Sequence, residues 1–192
     1  MPEEVAAPPH RPMRADARRN AAKITAAAEA LVSEQGADVS LEEVARRANV
    51  GSATLHRHFP SRRALLEAVF RERVAALCAT ADGLLAEPDA GRALTAWLRA
   101  VATHAVTNRG LGTALTHDGS TEFGESCHAM ITAAGDALLA RARAAGAVRP
   151  GVTTVRLLKL VGAIALATER DTDGPAEAEA LLAIALDGVR AR

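Results

Sequence analysis

A short basic segment, residues 51–63, carries the side chains best suited to binding an anion. It contains three arginines, two histidines and no acidic residue. Guanidinium and imidazole groups donate hydrogen bonds to phosphate oxygens, so we expect phosphate contacts from His56, Arg57, Arg62 and Arg63. A polyanion is therefore the first partner to consider, and the elements around the segment decide which one.

The residues before the segment predict a short helix that begins after Ser40. Glu43 stands three residues after Ser40, a spacing in which the serine hydroxyl accepts from the Glu43 amide and the Glu43 carboxylate reaches back to the Ser40 amide. Apolar residues then recur at the spacing of one buried helix face: Leu41, Val44, Ala45 and Ala48. Ala45 is small enough for a second helix to cross close by.

A tight turn follows this helix. Asparagine is the non-glycine residue that best tolerates the left-handed backbone conformation, so Asn49 suits such a turn, and Val50 can fill the gap between two helices. We expect the second helix to end at Pro60 and Ser61 to cap the helix after it.

The second helix has two different faces. Leu55 and Phe59 share the face that would pack on the core. Three short side chains at its start would let the helix enter a major groove, where N-terminal residues meet base edges: Ser52, Ala53 and Thr54. A helix-turn-helix that runs into a basic, acid-free segment indicates duplex DNA as the polyanion.

The alternative is a plain helical hairpin inside a bundle, and the charge distribution weighs against it. Between His10 and Leu65 the sequence has ten arginines and lysines but six acids, whereas the whole chain is balanced at 23 basic and 23 acidic residues. Such an asymmetry is typical of a DNA-binding domain joined to a domain of another kind.

The same segment resembles a known family. TLHRHF at 54–59, followed by PSRR at 60–63, is similar to the DNA-binding domain of TetR-type transcriptional regulators, which typically reads T-L-Y-x-H-F before a basic helix start. The resemblance covers roughly residues 14 to 80. His56 stands where the family usually has tyrosine, and Asn49 and Gly51 stand where glycine and a small polar residue are usual.

Motif and resemblance together predict a DNA-binding set: Ser40, Arg46, Gly51, Ser52, Ala53, Thr54, His56, Arg57, His58, Arg62 and Arg63. The resemblance further implies a homodimer on a palindromic operator of double-stranded DNA, with half-sites about one turn apart. It implies a repressor that a small-molecule effector releases. A long fourth helix would link the DNA-binding domain to the regulatory domain and shift when the effector binds.

Composition predicts an all-α fold. The chain has 192 residues, 49% of them hydrophobic, and alanine and leucine dominate. Helix breakers divide it into roughly nine helices, the first from about Asp16 to Gln35 with Gly36 as its stop, and a short one around Gly110 and Gly112.

Three regions follow from this division. We expect a disordered N-terminal arm over residues 1–13, a helix-turn-helix DNA-binding domain over residues 14–62, and a helical effector-binding and dimerisation domain over residues 63–192. Four arginines near the arm either reach a phosphate backbone or only solubilise the chain, and the sequence favours neither: Arg11, Arg14, Arg18 and Arg19.

The last two predicted helices are apolar over more than one face, and a helix of that kind must bury both faces. We therefore predict a two-fold interface between two copies of the chain. The predicted residues are Leu157, Val161, Ile164, Leu182, Leu186 and Val189. Simple burial in the core of one chain is the alternative and would account for about half of the apolar side chains.

An effector pocket is predicted on two other helices. Trp97, Val101, His104 and Asn108 recur along one side of the fifth helix. Three residues of a later helix would face them: Cys127, Met130 and Ile131. Apolar walls with a few polar groups suit a small molecule. Taken singly, each residue slightly favours the alternative, with Trp97 in the core and His104 as a satisfied buried histidine.

Other classes of function lack their signatures in the sequence. It has no glycine-rich phosphate loop, nucleophile elbow, HExxH or paired CxxC, so we expect neither an enzyme nor a cofactor. His104, His117, Cys127 and His128 match no metal-ligand spacing, so no metal is expected. The remaining alternative is a helical interaction or ligand-binding module whose helix-turn-helix no longer binds DNA.

The sequence also predicts a cytoplasmic location. No apolar run reaches the roughly 18 residues of a membrane span, and the first residues are acidic and proline-rich where a secretory signal would be basic and then apolar. Cys78 and Cys127 have no redox spacing, which suits a reducing compartment in which both remain thiols.

Overall fold

The structure is a computed structural model that describes residues 11–108, 121–169 and 171–189, and over these ranges it consists of eight helices without a strand. In chain order they are α1 (Arg11–Gln35), α2 (Leu41–Arg47), α3 (Ser52–His58), α4 (Arg62–Leu84), α5 (Ala90–Thr107), α6 (Thr121–Ala144), α7 (Thr154–Ala167) and α8 (Gly174–Asp187). The predicted all-α class is confirmed. The short helix predicted around Gly110 and Gly112 lies outside the described residues.

Helix α1 begins earlier than predicted, at Arg11 and not near Asp16. Pro12 is compatible with this start, because the amide that proline lacks would have no partner in a first helical turn. The residues up to Asp16 are otherwise good helix formers. Residues 1–10 of the predicted arm lie outside the described part of the chain. At its other end, α1 stops at Gly36, whose φ is +79°.

The chain divides into two compact units, Met1–Val69 and Phe70–Arg192. In the first unit, α1, α2 and α3 pack against one another. The core of this unit consists of small and medium apolar side chains that are almost fully buried: Ile24, Ala28, Leu31, Val44, Leu55 and Leu65. Of the apolar faces predicted for the two short helices, Val44, Ala45, Ala48 and Leu55 are buried, whereas Leu41 and Phe59 are half-buried.

In the second unit, α5 packs against α6, α7 and α8. Its centre is Trp97, whose side chain is fully buried and whose indole N–H donates to the Leu77 carbonyl at 3.3 Å. The ring lies against Gly135 of α6 so closely that a Cβ on that glycine would come within 2.5 Å of the indole and 2.6 Å of Thr154 Cγ2. A glycine is therefore required where these helices meet.

None of the helices over the described ranges has the length and apolar character needed to cross a membrane.

Candidate nucleic-acid interface

Helix α2 begins with half of the predicted capping arrangement. The Ser40 hydroxyl accepts from the Glu43 amide at 3.4 Å and donates to the Glu42 carboxylate at 2.6 Å, and that second bond holds the pKa of Glu42 below its usual value. The expected return bond from Glu43 is replaced by a pair with Arg46, at 2.9 and 2.5 Å. An arginine one turn along the helix offers the carboxylate a charged donor, which outcompetes a backbone amide.

The turn between α2 and α3 has the predicted conformation. Asn49 has a φ of +53°, the left-handed region. Its amide donates to the Arg46 carbonyl at 3.1 Å, and the Val50 amide donates to the Ala45 carbonyl at 3.0 Å. These two bonds form a Schellman motif, which satisfies the last carbonyls of α2 and turns the chain into α3.

Helix α3 presents an exposed ridge and a buried side. Leu55 is 1% exposed, and Phe59 at the helix end is half-buried. Ser52, Ala53, His56 and Arg57 are exposed, whereas Thr54 and His58 are half-buried. We call these four exposed residues the ridge of α3. It combines the short side chains of Ser52 and Ala53 with the hydrogen-bond donors of His56 and Arg57. Within the described ranges Arg57 forms no ion pair, so its guanidinium is available to a partner.

The other cations near α3 have partners inside the chain. Arg47 of α2 binds both carboxylate oxygens of Glu34 in α1, at 2.6 and 2.7 Å. Arg63 pairs with Glu67 at 3.0 Å along α4.

Arg62, at the start of α4, also bonds within the chain. It donates to the Ala37 carbonyl, at 3.1 Å from Nε, and to the Asp38 carboxylate at 2.5 Å. The predicted phosphate-binding residues thus divide into His56 and Arg57, which point outward, and Arg62 and Arg63, which are engaged. Sequence spacing gave no sign of the Arg62 contacts, because its partners lie about 25 residues away.

Helix α4 starts as predicted. The Ser61 hydroxyl accepts from the Ala64 amide at 3.1 Å, and Pro60 separates α3 from this cap. The Ser40 cap and the left-handed Asn49 therefore mark the borders of α2, and Pro60 follows the end of α3.

Two family models cover most of the chain. Residues 24–69 match the model of bacterial regulatory proteins of the tetR family. Residues 89–191, more than half of the chain, match the C-terminal domain of SbtR-like transcriptional regulators. The chain belongs to the TetR family. It is therefore a transcriptional regulator of the helix-turn-helix type.

Solved TetR structures resemble the chain over nearly its whole length. A TetR transcriptional regulator from Streptomyces coelicolor is 40% identical, with a TM-score of 0.72, over 88% of this chain and 98% of that one. A TetR regulatory protein from Mycobacterium vanbaalenii is 32% identical, with the same TM-score, over 94% and 100% of the two chains. RolR in complex with resorcinol shares the fold at 19% identity, with a TM-score of 0.63, over 92% and 90%. A comparison with curated proteins finds no match.

The residues predicted for an effector pocket have different surroundings in the TetR regulator. Trp97 and Val101 belong to the core, and Cys127 is buried. Met130 is 38% exposed, and Ile131 packs at the edge of the core. The structure thus favours the alternative given above for Trp97, as a core residue.

His104 and Asn108 instead form a polar network with Arg73. Arg73 donates to Asn108 Oδ1, and Asn108 Nδ2 donates to the His104 carbonyl at 2.9 Å. The same Nδ2 lies 3.0 Å from His104 Nδ1, which must therefore be an unprotonated acceptor. Burial, followed by the charge of Arg73, lowers the pKa of His104. Phe70 packs against the imidazole, with ring centroids 5.6 Å apart and the rings tilted by 60°.

A groove of about 760 Å³ lies elsewhere in the second unit, between the start of α5, the segment before α7 and the end of α8. Leu94, Leu98 and Leu186 are among its apolar lining residues, and Arg92 and Asp89 are among the charged ones. It contains none of the residues predicted for the effector pocket. No motif in the sequence marks it, because its lining comes from three distant segments.

The predicted interface residues mostly face the interior of their own chain. Leu157, Val161, Ile164, Leu182 and Leu186 belong to the buried core, and Val189 packs on it. Their burial leaves them little surface for a second copy. The outward side of the same helices carries Leu166, 66% exposed on α7, and Ile184, 71% exposed on α8.

Proposed function

We propose that this TetR regulator is a repressor that binds a palindromic operator as a homodimer and is released by a small-molecule effector, in the cytoplasm. Residues 14–62 would read the DNA, and residues 63–192 would bind the effector and dimerise. The exposed ridge of α3 is the observation that carries the proposal.

The composition of the ridge suits the major groove. Ser52 and Ala53 are exposed and short, so the backbone of α3 can approach base edges closely. His56 and Arg57 are exposed donors on the same helix, and Arg46 of α2 is exposed beside Glu43. Base contacts would come from the start of the helix and phosphate contacts from its end.

Selection of duplexes from a random pool, followed by titration at several salt concentrations, tests DNA reading. We expect a palindrome with half-sites about one helical turn apart. Arg57→Ala should lower the slope of log affinity against log salt by about 1.8, because the homodimer loses one phosphate contact from each subunit. Affinity that does not depend on salt would support the helical interaction module instead.

Outward apolar residues support the homodimer. Leu166 and Ile184 lie on α7 and α8, which pack against each other, and the nearby Gly162, Ala163 and Ala183 are exposed and small. Small residues let helices from two chains approach closely, and burying Leu166 and Ile184 would stabilise the pair.

Analytical ultracentrifugation of an Ile184→Glu variant tests the interface. We expect a monomer, because a glutamate at the centre of an apolar interface would be buried without a partner. Leu85→Glu is the matched control, because Leu85 is also an exposed large apolar residue but lies after α4 and not on α7 or α8. We expect the Leu85→Glu variant to remain dimeric. A dimer in both variants would contradict the assignment of this face.

The rings of Phe70 and Phe123, together with the polar network of Arg73, Asn108 and His104, support a binding site for a small organic effector. Phe70 contacts both His104 and Phe123, so apolar rings lie next to the Arg73, Asn108 and His104 groups. A few fixed polar groups among apolar ones is the usual composition of ligand sites.

A thermal-shift screen of small metabolites, followed by operator titration, tests this site. A true effector should raise the unfolding temperature and weaken operator binding together. A ligand that raises the unfolding temperature and leaves operator affinity unchanged would contradict release as the mode of regulation.

A further inference from the structure

We propose that Arg62 is a positioning residue of the DNA reader and not a phosphate contact. It would hold the loop between α1 and α2 against the start of α4 and thereby set where α2 and α3 lie. The inference rests on the proposed function, because it concerns the geometry of the surface that reads DNA.

Each residue of the loop 36–40 has a defined role, and Arg62 contacts its middle. Gly36 ends α1 with a left-handed φ of +79°, and Val39 is buried at 2% exposure. Ser40 then caps α2. Between these anchors, the Ala37 carbonyl and the Asp38 carboxylate are the two acceptors that Arg62 binds.

The guanidinium of Arg62 uses one edge for these contacts. Nε and Nη2 both donate to the Ala37 carbonyl, and Nη2 also donates to Asp38. The Nε–Nη2 edge is one of the two guanidinium edges that can bind a phosphate through two parallel hydrogen bonds. A phosphate could engage it only by breaking bonds that fix the loop.

Because of the position of Arg62 in the chain, these bonds can affect where both short helices lie. Arg62 directly follows Ser61, the cap of α4, so its backbone is fixed. The bonds therefore connect the element after α3 to the loop before α2, and the two short helices lie between these attachment points in the chain. Arg47, bound to Glu34 of α1, fixes the same region from α2.

Arg57 provides the matched contrast. It is exposed on the ridge of α3 and forms no ion pair among the described residues. A cation of this kind can contact phosphate without loss of internal bonds. Arg57→Ala should therefore weaken all duplexes alike, with a salt slope lower by about 1.8, since each of the two subunits loses one contact.

The test compares the DNA affinity of four variants: Arg62→Ala, Arg62→Lys, Asp38→Asn and Arg57→Ala. Each is titrated with the duplex selected from the random pool and with mixed-sequence duplex, at a temperature well below unfolding. We expect Arg62→Ala to bind the selected duplex roughly tenfold more weakly, with little change for mixed sequence or in the salt slope. Asp38→Asn should lose about twofold in the same direction, since an exposed ion pair contributes little. Lysine cannot reproduce the geometry and should not restore selectivity.

A phosphate contact would give the opposite pattern. Arg62→Ala would then weaken both probes alike and lower the slope by about 1.8, one contact from each subunit. Lysine would restore most of the affinity, and Asp38→Asn would strengthen binding by removing an acid. That result overturns the positioning role and leaves the proposed function intact.

Hydrogen exchange without DNA separates the two hypotheses further. In the free protein, amides of α2 and of the turn at Asn49 should exchange faster in Arg62→Ala than in Arg57→Ala. Equal exchange in both variants overturns the positioning role. A wild-type chain that prefers no duplex overturns the proposed function, whatever the exchange rates show.

Discussion

The two units of this regulator are stabilised in different ways. The first contains two seven-residue helices, α2 and α3, whose borders are set by polar and backbone signals such as the Ser40 cap and the left-handed Asn49. The second has longer helices around Trp97, whose ring fits against a single glycine of α6. Local signals can be read from neighbouring residues, whereas shape complementarity depends on residues far apart in sequence.

The units also differ in their exposed surfaces. The first exposes donors and short side chains on α3, while four neighbouring arginines pair with acids of the same unit: Arg46 with Glu43, Arg47 with Glu34, Arg62 with Asp38 and Arg63 with Glu67. The second exposes Leu166 and Ile184. A polar outer ridge suits a polyanion, and an apolar outer face suits another apolar face.

Gly135→Ala should give the largest effect and tests packing in the second unit. The new Cβ would lie 2.5 Å from the Trp97 ring and 2.6 Å from Thr154 Cγ2, so the helices must separate. We expect a loss of about 1–3 kcal/mol in the free energy of unfolding, measured by urea denaturation.

Gly124→Ala is the control for this prediction, because Gly124 is on the same helix and has nothing within 4 Å of an added Cβ. It should stabilise the unit by about 0.5–1 kcal/mol, the usual gain of alanine over glycine within a helix. If both variants behaved alike, the fit between Trp97 and Gly135 would not be what holds this unit together.

Asn49→Ala tests the local signals of the first unit and should have a smaller effect. A Cβ-bearing residue without a helpful polar group is disfavoured at a φ of +53°, so we expect a loss of about 1 kcal/mol. Asn49→Gly adopts the same φ without strain and should be neutral within about 0.5 kcal/mol in the same denaturation experiment. A glycine variant as unstable as the alanine variant would show that the asparagine side chain matters, and not its backbone.

Replacing His104, a half-buried polar residue of the second unit, should have the smallest effect on stability. Its pKa in the folded chain lies below the ordinary value of 6.5, so the folded state binds fewer protons than the unfolded state. The stability that this group contributes is therefore complete above pH 6.5 and is lost as the pH falls through the lowered pKa.

Urea midpoints between about pH 7.5 and about pH 5 measure this dependence. His104→Gln should flatten the decrease at low pH, because the group whose pKa is lowered on folding is removed. An unchanged profile in His104→Gln would place the acid sensitivity elsewhere in the chain.

Much of the first unit was predictable because its signals are local. Ser40 and Glu43 are three residues apart, Asn49 determines its own backbone, and Ser61 caps the helix that it precedes. The ridge of α3 followed from the same reasoning, since Leu55 identifies the buried side and the remaining positions face outward. The contacts of Arg62 were not predictable, because no spacing rule connects it to Ala37.

The second unit was harder to predict for a physical reason. On α7 and α8 most side chains are apolar, so periodicity could not distinguish the side that faces the chain's own core from the outward side. Leu157 and Leu182 proved to face the core, while Leu166 and Ile184 point outward. The residues predicted for the effector pocket could not be assigned by periodicity either, because Trp97 on an apolar helix face suits a pocket wall and a core equally well.

The fit between Trp97 and Gly135 limits how the second unit can move. An α-helix advances 5.4 Å per turn, so a one-turn slide of α6 along α5 would bring Ile131 or Leu139 to the place of Gly135. Both side chains are larger than the Cβ that already cannot be accommodated there. Sliding of α6 past Trp97 by one turn is therefore blocked in both directions, so the two helices keep their register at this contact.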